Sequence, residues 1–307
     1  MIAREDRLAG GLLGLLIGDA LGVPYEFHDA DDIPPLAHIE FDPPPGFRRA
    51  HSSVFPGTWS DDGAQALALL ASLQACARLD LDDLARRLLD WHDDGAMAVD
   101  GRVFDVGIQT SQAFRRLRDG VPPDRSGPAE ERANGNGSLM RVLPLALWHK
   151  GTDAELARDA AAQSLVTHGH PRSQGCCALY CLWARRTIEA AGDPWREAVA
   201  AFRAIHPIGD PIRDEVEAHV KPDDPPSGQG SGYVVDCLTS ARLALDAGSY
   251  EDVVKAAVAL GNDTDTTACV AGGIAGLRDG VGAIPERWRS ALRGRELYEP
   301  LLHHLIA

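Results

Sequence analysis

The sequence predicts an all-α fold, read as one compact domain over residues 1–307, on three observations. Apolar residues make up 45% of the chain and aromatics only 6%, and Ala and Leu dominate the apolar share, which favours helix over strand. Segments with helical apolar spacing recur along the chain. Strand signals are nearly absent, since Tyr233-Val234-Val235 is too short to decide anything. A length of 307 residues allows two domains by the ~150-residue prior, but one large domain fits equally well.

The first element runs from Met1 to Gly22 and has the look of a short signal peptide. Glu5 and Asp6 offset Arg4 and Arg7, however, and Asp19 closes the apolar run after roughly ten residues, too few to span a bilayer. Leu8, Leu12, Leu15 and Leu16 fall at the period of an amphipathic helix, so a retained core helix is expected. Further helices are expected at about 62–78, 81–93, 105–118, 138–149, 153–166, 171–191, 194–204, 233–247, 250–260 and 265–278. Pro- and Gly-rich loops cover Asp29–Gly57, Gly120–Gly137 and His206–Gly232. Ala64–Ala77 and Ala268–Leu277 are Ala-rich and suit close helix packing.

The formal net charge of −15 argues against nucleic acid as the main partner, because a basic face is what binds phosphate backbones. No stretch reads as a membrane span. Six cysteines without a CxxC pair read as reduced thiols, and a cytoplasmic, monomeric protein is expected.

Two acidic clusters carry the strongest chemical signal. Gly57-Thr58-Trp59-Ser60-Asp61-Asp62-Gly63 opens one helix, and Gly261-Asn262-Asp263-Thr264-Asp265-Thr266-Thr267 opens another. A helix N-cap needs one such residue, whereas each cluster offers two carboxylates plus hydroxyls. Like charges this close repel unless a cation sits among them, and a helix N-terminus compensates only about half a charge. Hard oxygen donors select Mg²⁺, Mn²⁺ or Ca²⁺ over Zn²⁺. On the residues alone, a metal site and a pair of solvated caps remain equally open. Asp19 reads as a helix-end acid that is solvated or hydrogen-bonded, and Glu26, after Pro24, as a turn residue able to face a cleft. His168 and His170 form an HxH pair without a third ligand, which is weak support for zinc.

Taken in order, GDALGVPYEF, GTWSDDGAQALALL, NGNGSLMRVLPLAL, THGHP, GSGYVVDCL and GNDTDTTACVAGGIAGL resemble the ADP-ribosylglycohydrolases, the relatives of the dinitrogenase-reductase-activating glycohydrolase. The resemblance spans about residues 5–280. It implies an all-α orthogonal bundle with a binuclear centre of two Mg²⁺ or Mn²⁺ ions. It also implies hydrolysis of the bond between C1″ of ADP-ribose and an acceptor. By the same resemblance Ser60, Asp61 and Asp62 match one group of metal ligands, and Asp263, Asp265 and Thr266 the other. Ser60 stands where many members have Thr, and Gly63 where many have a hydroxyl residue. Glu26 matches a carboxylate bordering the centre. Asp105 matches an acid that contacts the distal ribose in the arginine-directed branch; without the resemblance it reads as an N-cap.

Asn134-Gly135-Asn136-Gly137-Ser138-Leu139-Met140-Arg141 has glycines that admit close backbone approach, and N–H groups at the start of a helix can cradle a diphosphate. The resemblance places the diphosphate and distal ribose against Asn134, Gly135, Asn136, Gly137, Ser138 and Met140. It puts His168 near the diphosphate, and Gly232 and Tyr233 beside the adenine. Tyr233 otherwise reads as core, and Arg141 as either an anion clamp or a structural ion-pair partner.

The expected function is metal-dependent release of ADP-ribose from an ADP-ribosylated protein or small molecule, arginine in protein being the leading acceptor. In the expected mechanism Glu26, Asp61, Asp105 and Asp265 are the catalytic acids. A serine, nucleobase or metabolite acceptor is the close variant. A non-catalytic ADP-ribose-binding protein on the same fold is the alternative of another class, and a metal-dependent phosphohydrolase is a third.

Overall fold

The computed structural model describes residues 2–307, and among these lie fifteen α-helices. In chain order they are α1 (Arg4–Gly22), α2 (Asp61–Cys76), α3 (Leu81–Asp94), α4 (Ile108–Arg118), α5 (Pro123–Ser126), α6 (Leu143–Trp148), α7 (Asp153–Ser164) and α8 (Pro171–Ile188). There follow α9 (Pro194–Ile205), α10 (Pro211–Glu215), α11 (Val234–Ala244), α12 (Tyr250–Val258), α13 (Thr264–Asp279), α14 (Glu286–Ala291) and α15 (Arg295–Ile306). The all-α expectation holds: the extended pairing among the described residues is an isolated bridge between Gly135 and Tyr233.

Two expected helices are shorter than their apolar spacing suggests. The helix expected over 138–149 is α6 alone, because residues 136–142 are taken up by successive tight turns and Pro144 then starts the helix. The helix expected from 105 begins at Ile108. Asp105 has a left-handed backbone with φ 55°, so Gly107 occupies the cap position and Asp105 is no N-cap. α10 sits inside an expected loop, and α14 and α15 lie beyond the last expected helix, α15 with Pro300 in its interior.

The centre of the molecule is the antiparallel pair α1 and α13. Gly10, Gly14, Gly18 and Gly22 recur every fourth residue on α1, and Ala268, Gly272 and Gly276 do so on α13. Four-residue spacing keeps each set on one face. A Cβ on Gly10 would strike the carbonyl oxygen of Gly276, one on Gly14 that of Gly272, and one on Gly18 that of Ala268. One on Gly22 would strike the backbone of Asp265. Glycine inside a helix costs roughly 0.5–1 kcal/mol; here it lets two backbones touch. Tyr250 Oη closes the pair by donating to Gly14 O at 2.9 Å. The residues Arg4–Tyr25 are long and apolar enough to cross a membrane, and their apolar stretch from Leu8 onward is buried in the protein.

This packing fixes the end of the molecule where the acids lie. The N-terminus of α13 meets the C-terminus of α1, where Thr264 Oγ1 donates to Gly22 O at 2.8 Å. Asp19, fully buried, receives the N–H groups of Ser60 and Gly63 at 2.8 and 2.7 Å, so α1 supplies the cap for α2. The loop after α1 is held from the C-terminal region. Trp288 Nε1 donates to Glu40 Oε2 at 2.5 Å, and Arg293 N–H donates to Gly57 O at 2.9 Å. All six cysteines are free.

Candidate active site

The two acidic clusters converge. Thr266 Oγ1 donates to Asp62 Oδ1 at 3.3 Å, joining the starts of α13 and α2 across 204 positions of sequence. Carboxylate oxygens of Glu26, Asp263 and Asp265 lie within 4.8 Å of one another. Glu26 reaches this point because Phe27 N–H donates to Asn262 O and Asn262 N–H to His28 O, at 2.8 and 2.7 Å, which ties its turn to the second cluster.

The electrostatics follow from burial without compensation. Burial, then Asp105, pushes the Asp61 carboxyl well above its usual range; burial, then Asp19, does the same for Asp62, and burial, then Glu26, for Asp265. Glu26 is pushed up to about 10 by burial and then by Asp105, and Asp105 to about 6 by burial and then by Asp263. Burial raises Asp19 to about 7 in spite of its two backbone donors. Asp62 Oδ2 and Asp265 Oδ2 are buried with no hydrogen-bond partner. Buried acceptors of this kind demand either protons or cations, so the oxygen donors present fit metal ions.

The acids form the floor of a cavity of about 690 Å³. Glu26, Asp61, Asp62, Asp105, Asp263 and Thr266 line it, with Asn134, Gly135, Asn136, Gly137, Met140, His168, Gly232 and Tyr233. Three expected site residues lie off this wall. Asp265 is fully buried, its Oδ1 receiving the Thr266 N–H at 2.8 Å. The Ser60 hydroxyl faces its own helix, accepting the Asp62 N–H at 3.4 Å as the N-cap of α2. The Ser138 hydroxyl turns inward to Ser164 Oγ, 2.8 Å away, and to Cys177 Sγ, so only its backbone can serve a ligand.

The Asn-Gly loop is not a helix N-terminus, as the sequence suggested; its turns are braced from two sides. Asn136 N–H donates to Gly232 O at 3.0 Å and Val234 N–H to Asn134 O at 2.9 Å. Asn136 Nδ2 donates to Asp263 Oδ2 at 2.9 Å, coupling the loop to the acids. Gly137 is required by contact, since a Cβ there would lie 2.8 Å from His168 Cε1. His168 is buried and stays neutral, its ring pushed down to about 3 by burial and by Arg141. Arg141 is neither an anion clamp nor an ion-pair partner. It is fully buried and bonds neutral groups: Gln163, Gln65, Thr167 and the carbonyl of Gly137. His170 caps α8, where its Nδ1 accepts from Arg172 N–H at 3.1 Å, which separates it from the cavity. Tyr233 is 37% exposed rather than core, and its hydroxyl accepts from Arg172 Nη1 at 3.1 Å.

Several residues of the site went unread in the sequence. Gln109 Oε1 accepts the Gly135 N–H at 2.6 Å, Gln65 Nε2 donates to Asp61 Oδ2 at 3.1 Å, and His51 Nε2 lies 2.6 Å from Glu26 Oε2. Gln65 was in reach, being one helical turn after Asp61. Gln109 and His51 act across tertiary contacts that no local spacing reveals.

Fold and site together define an all-α enzyme in which acids from both ends of the chain floor one nucleotide-sized cavity. The chain belongs to the ADP-ribosylglycohydrolase family, whose model matches residues 1–307, and it is an ADP-ribosyl hydrolase. It is 32% identical over 286 residues to the ADP-ribosylarginine hydrolase Tri1 of Pseudomonas putida, covering 92% of this chain and 73% of the relative. It is 31% identical to the ADP-ribosyl-[dinitrogen reductase] glycohydrolase of Rhodospirillum rubrum, covering 94% and 90%. A solved structure, of an ADP-ribosylglycohydrolase-related protein complex, matches with a TM-score of 0.78 at 30% identity, covering 100% of this chain and 99% of that one.

Proposed function

We propose that the protein is a divalent-metal-dependent hydrolase that releases ADP-ribose from ADP-ribosyl-arginine in protein. The observation that carries the metal dependence is the pair of partnerless oxygens, Asp62 Oδ2 and Asp265 Oδ2, buried among further carboxylates. Asp61, Asp62, Asp263, Asp265 and Thr266 would hold two Mg²⁺ or Mn²⁺ ions, with Ser60 available if its cap bond is given up. When bound, the metals would orient the distal ribose hydroxyls and acidify a water. Names of relatives that act on ADP-ribosylarginine or on ADP-ribosyl-[dinitrogen reductase] favour arginine in protein as the acceptor, and Asp105 at the cavity wall favours arginine.

The chain's own residues divide the remaining work. Cleavage at C1″ develops oxocarbenium character, and carboxylates beside the ring stabilise it. Glu26 and Asp105, which both line the cavity, are the carboxyls assigned to move the proton between water and leaving group. The Gly135 and Asn136 N–H groups are engaged by Gln109 and Gly232, which leaves those of Gly137 and Ser138 for a diphosphate. His168 offers a neutral ring beside them, and Tyr233 a face for the adenine. ADP-ribosyl-arginine and ADP-ribosyl-serine substrates, incubated with and without Mg²⁺, test the proposal. Metal-dependent release of ADP-ribose from the arginine substrate is expected. Release from serine alone would move the acceptor assignment, and tight ADP-ribose binding without turnover would support a binding module instead.

A further inference from the structure

His51 stands against Glu26 in a way the reaction scheme above does not use. Its Nε2 lies 2.6 Å from Glu26 Oε2, with side chains 16% and 5% exposed. The imidazole packs on Phe27 at 5.6 Å and on Phe104 at 5.0 Å between ring centroids. The backbone is left-handed at His51, Phe27 and Asp105, with φ of 46°, 63° and 55°. L residues adopt that region rarely, and such outliers gather where a structure must aim a side chain. Three strained residues here surround one carboxylate.

The loop does not need this contact for its own fold. Ala50 N–H donates to Pro24 O at 2.9 Å, Val54 N–H to His51 O at 2.7 Å, and Arg49 Nη2 to Val54 O at 3.1 Å. The backbone around residue 51 is therefore held independently of the imidazole. A heavy-atom separation of 2.6 Å requires one proton between the two groups, donated by Nε2–H or by a protonated Glu26. In either form Oε2 is engaged, and Oε1 is left for the reaction.

We propose that His51 is a positioning residue: braced by Phe27 and Phe104, it holds the Glu26 carboxyl in one orientation beside Asp105 and the acidic floor. The proposal rests on the reading of Glu26 as a group that handles the reaction proton. A bound, pre-aimed carboxyl avoids the loss of rate that follows from a mobile one.

The test compares His51→Asn with His51→Gln. Asn suits a left-handed backbone but is too short to reach Oε2, whereas the Gln amide reaches it and can donate or accept. His51→Asn should lower kcat about 10–100-fold, the usual cost of losing a supporting partner, with KM unchanged and thermal stability near that of the parent. His51→Gln should recover most of the lost kcat. A crystal structure of His51→Asn should find the Glu26 carboxyl turned from its place, and that of His51→Gln should find it retained. Equal kcat in the parent and both variants, or an unmoved Glu26 in His51→Asn, overturns the proposal. A parent inactive on every ADP-ribosyl substrate would defeat the functional reading, and the crystallographic comparison would still decide the role of His51.

Discussion

Asp62 Oδ2 and Asp265 Oδ2 are buried acceptors without donors, and a neutral unsatisfied group of this kind costs about 1–3 kcal/mol, a charged one more. Removing the charge should therefore be tolerated by the fold and not by the chemistry. Asp61→Asn or Asp265→Asn is expected to lower Mg²⁺-dependent ADP-ribose release more than ~100-fold and to weaken Mn²⁺ binding in calorimetry. Unchanged metal-dependent turnover in either variant would refute the ligand assignment. The pH dependence of the metal-free protein follows from the same carboxyls. Asp19, raised from 3.8 to about 7, and Glu26, from 4.5 to about 10, bind protons more tightly folded than unfolded. Their contribution to stability is complete below the unfolded values. It is lost as pH rises through about 7 for Asp19 and about 10 for Glu26. In chelator, the melting temperature at pH 5 should thus exceed that at pH 8. A flat or rising profile would show that they ionise without penalty.

At the scale of elements, the seam between α1 and α13 is the device that assembles the site. Its glycines meet backbone carbonyls, so even one methyl group has no room. Gly14→Ala or Gly272→Ala is expected to destabilise the fold by about 1–3 kcal/mol or more, measured by urea denaturation. A neutral result would mean that the two helices can part without cost. The Asn-Gly loop allows a different test, since its Gly135 and Gly137 line the cavity. Gly137→Ala pushes a methyl to 2.8 Å from His168 Cε1. It should raise the KM for substrate and weaken ADP-ribose binding while leaving the melting temperature close to that of the parent. Loss of stability without loss of affinity would relocate the loop's role to folding.

For the whole molecule, metal binding and folding are linked. Ions that bind only the folded acids stabilise it by RT ln(1 + [L]/Kd), which is about 2.7 kcal/mol at a hundredfold excess over Kd. Addition of Mg²⁺ or Mn²⁺ should raise the melting temperature, and by more at pH 8 than at pH 5, because the free acids repel most where they are ionised. A shift independent of pH would place the bound ion elsewhere. The net charge of −15 bears on the substrate as well: bound cations would supply local positive charge for an anionic ligand that the chain as a whole repels.

The helical class, most element boundaries and both acid clusters were legible in the sequence, because amphipathic spacing and capping chemistry are local. Asp61, Asp62, Asp263 and Thr266 stand on the cavity wall for the same reason, each sitting at or near the start of a helix that its neighbours specify. What local pattern does not carry is who faces whom. In the sequence the glycines of α1 are only part of an apolar run; their purpose lies in Gly272 and Gly276, which pack against them. Asp19 is legible as a hydrogen-bonded helix-end acid, but not that its donors are two N–H groups at the start of another helix. The sequence by itself determined an all-α chain with two acid-rich helix starts. Only the tertiary structure decided that those starts share one cavity with Glu26, which His51 braces. Burial and mutual repulsion, which make ordinary aspartates fit to hold a cation, exist only once distant segments are packed together.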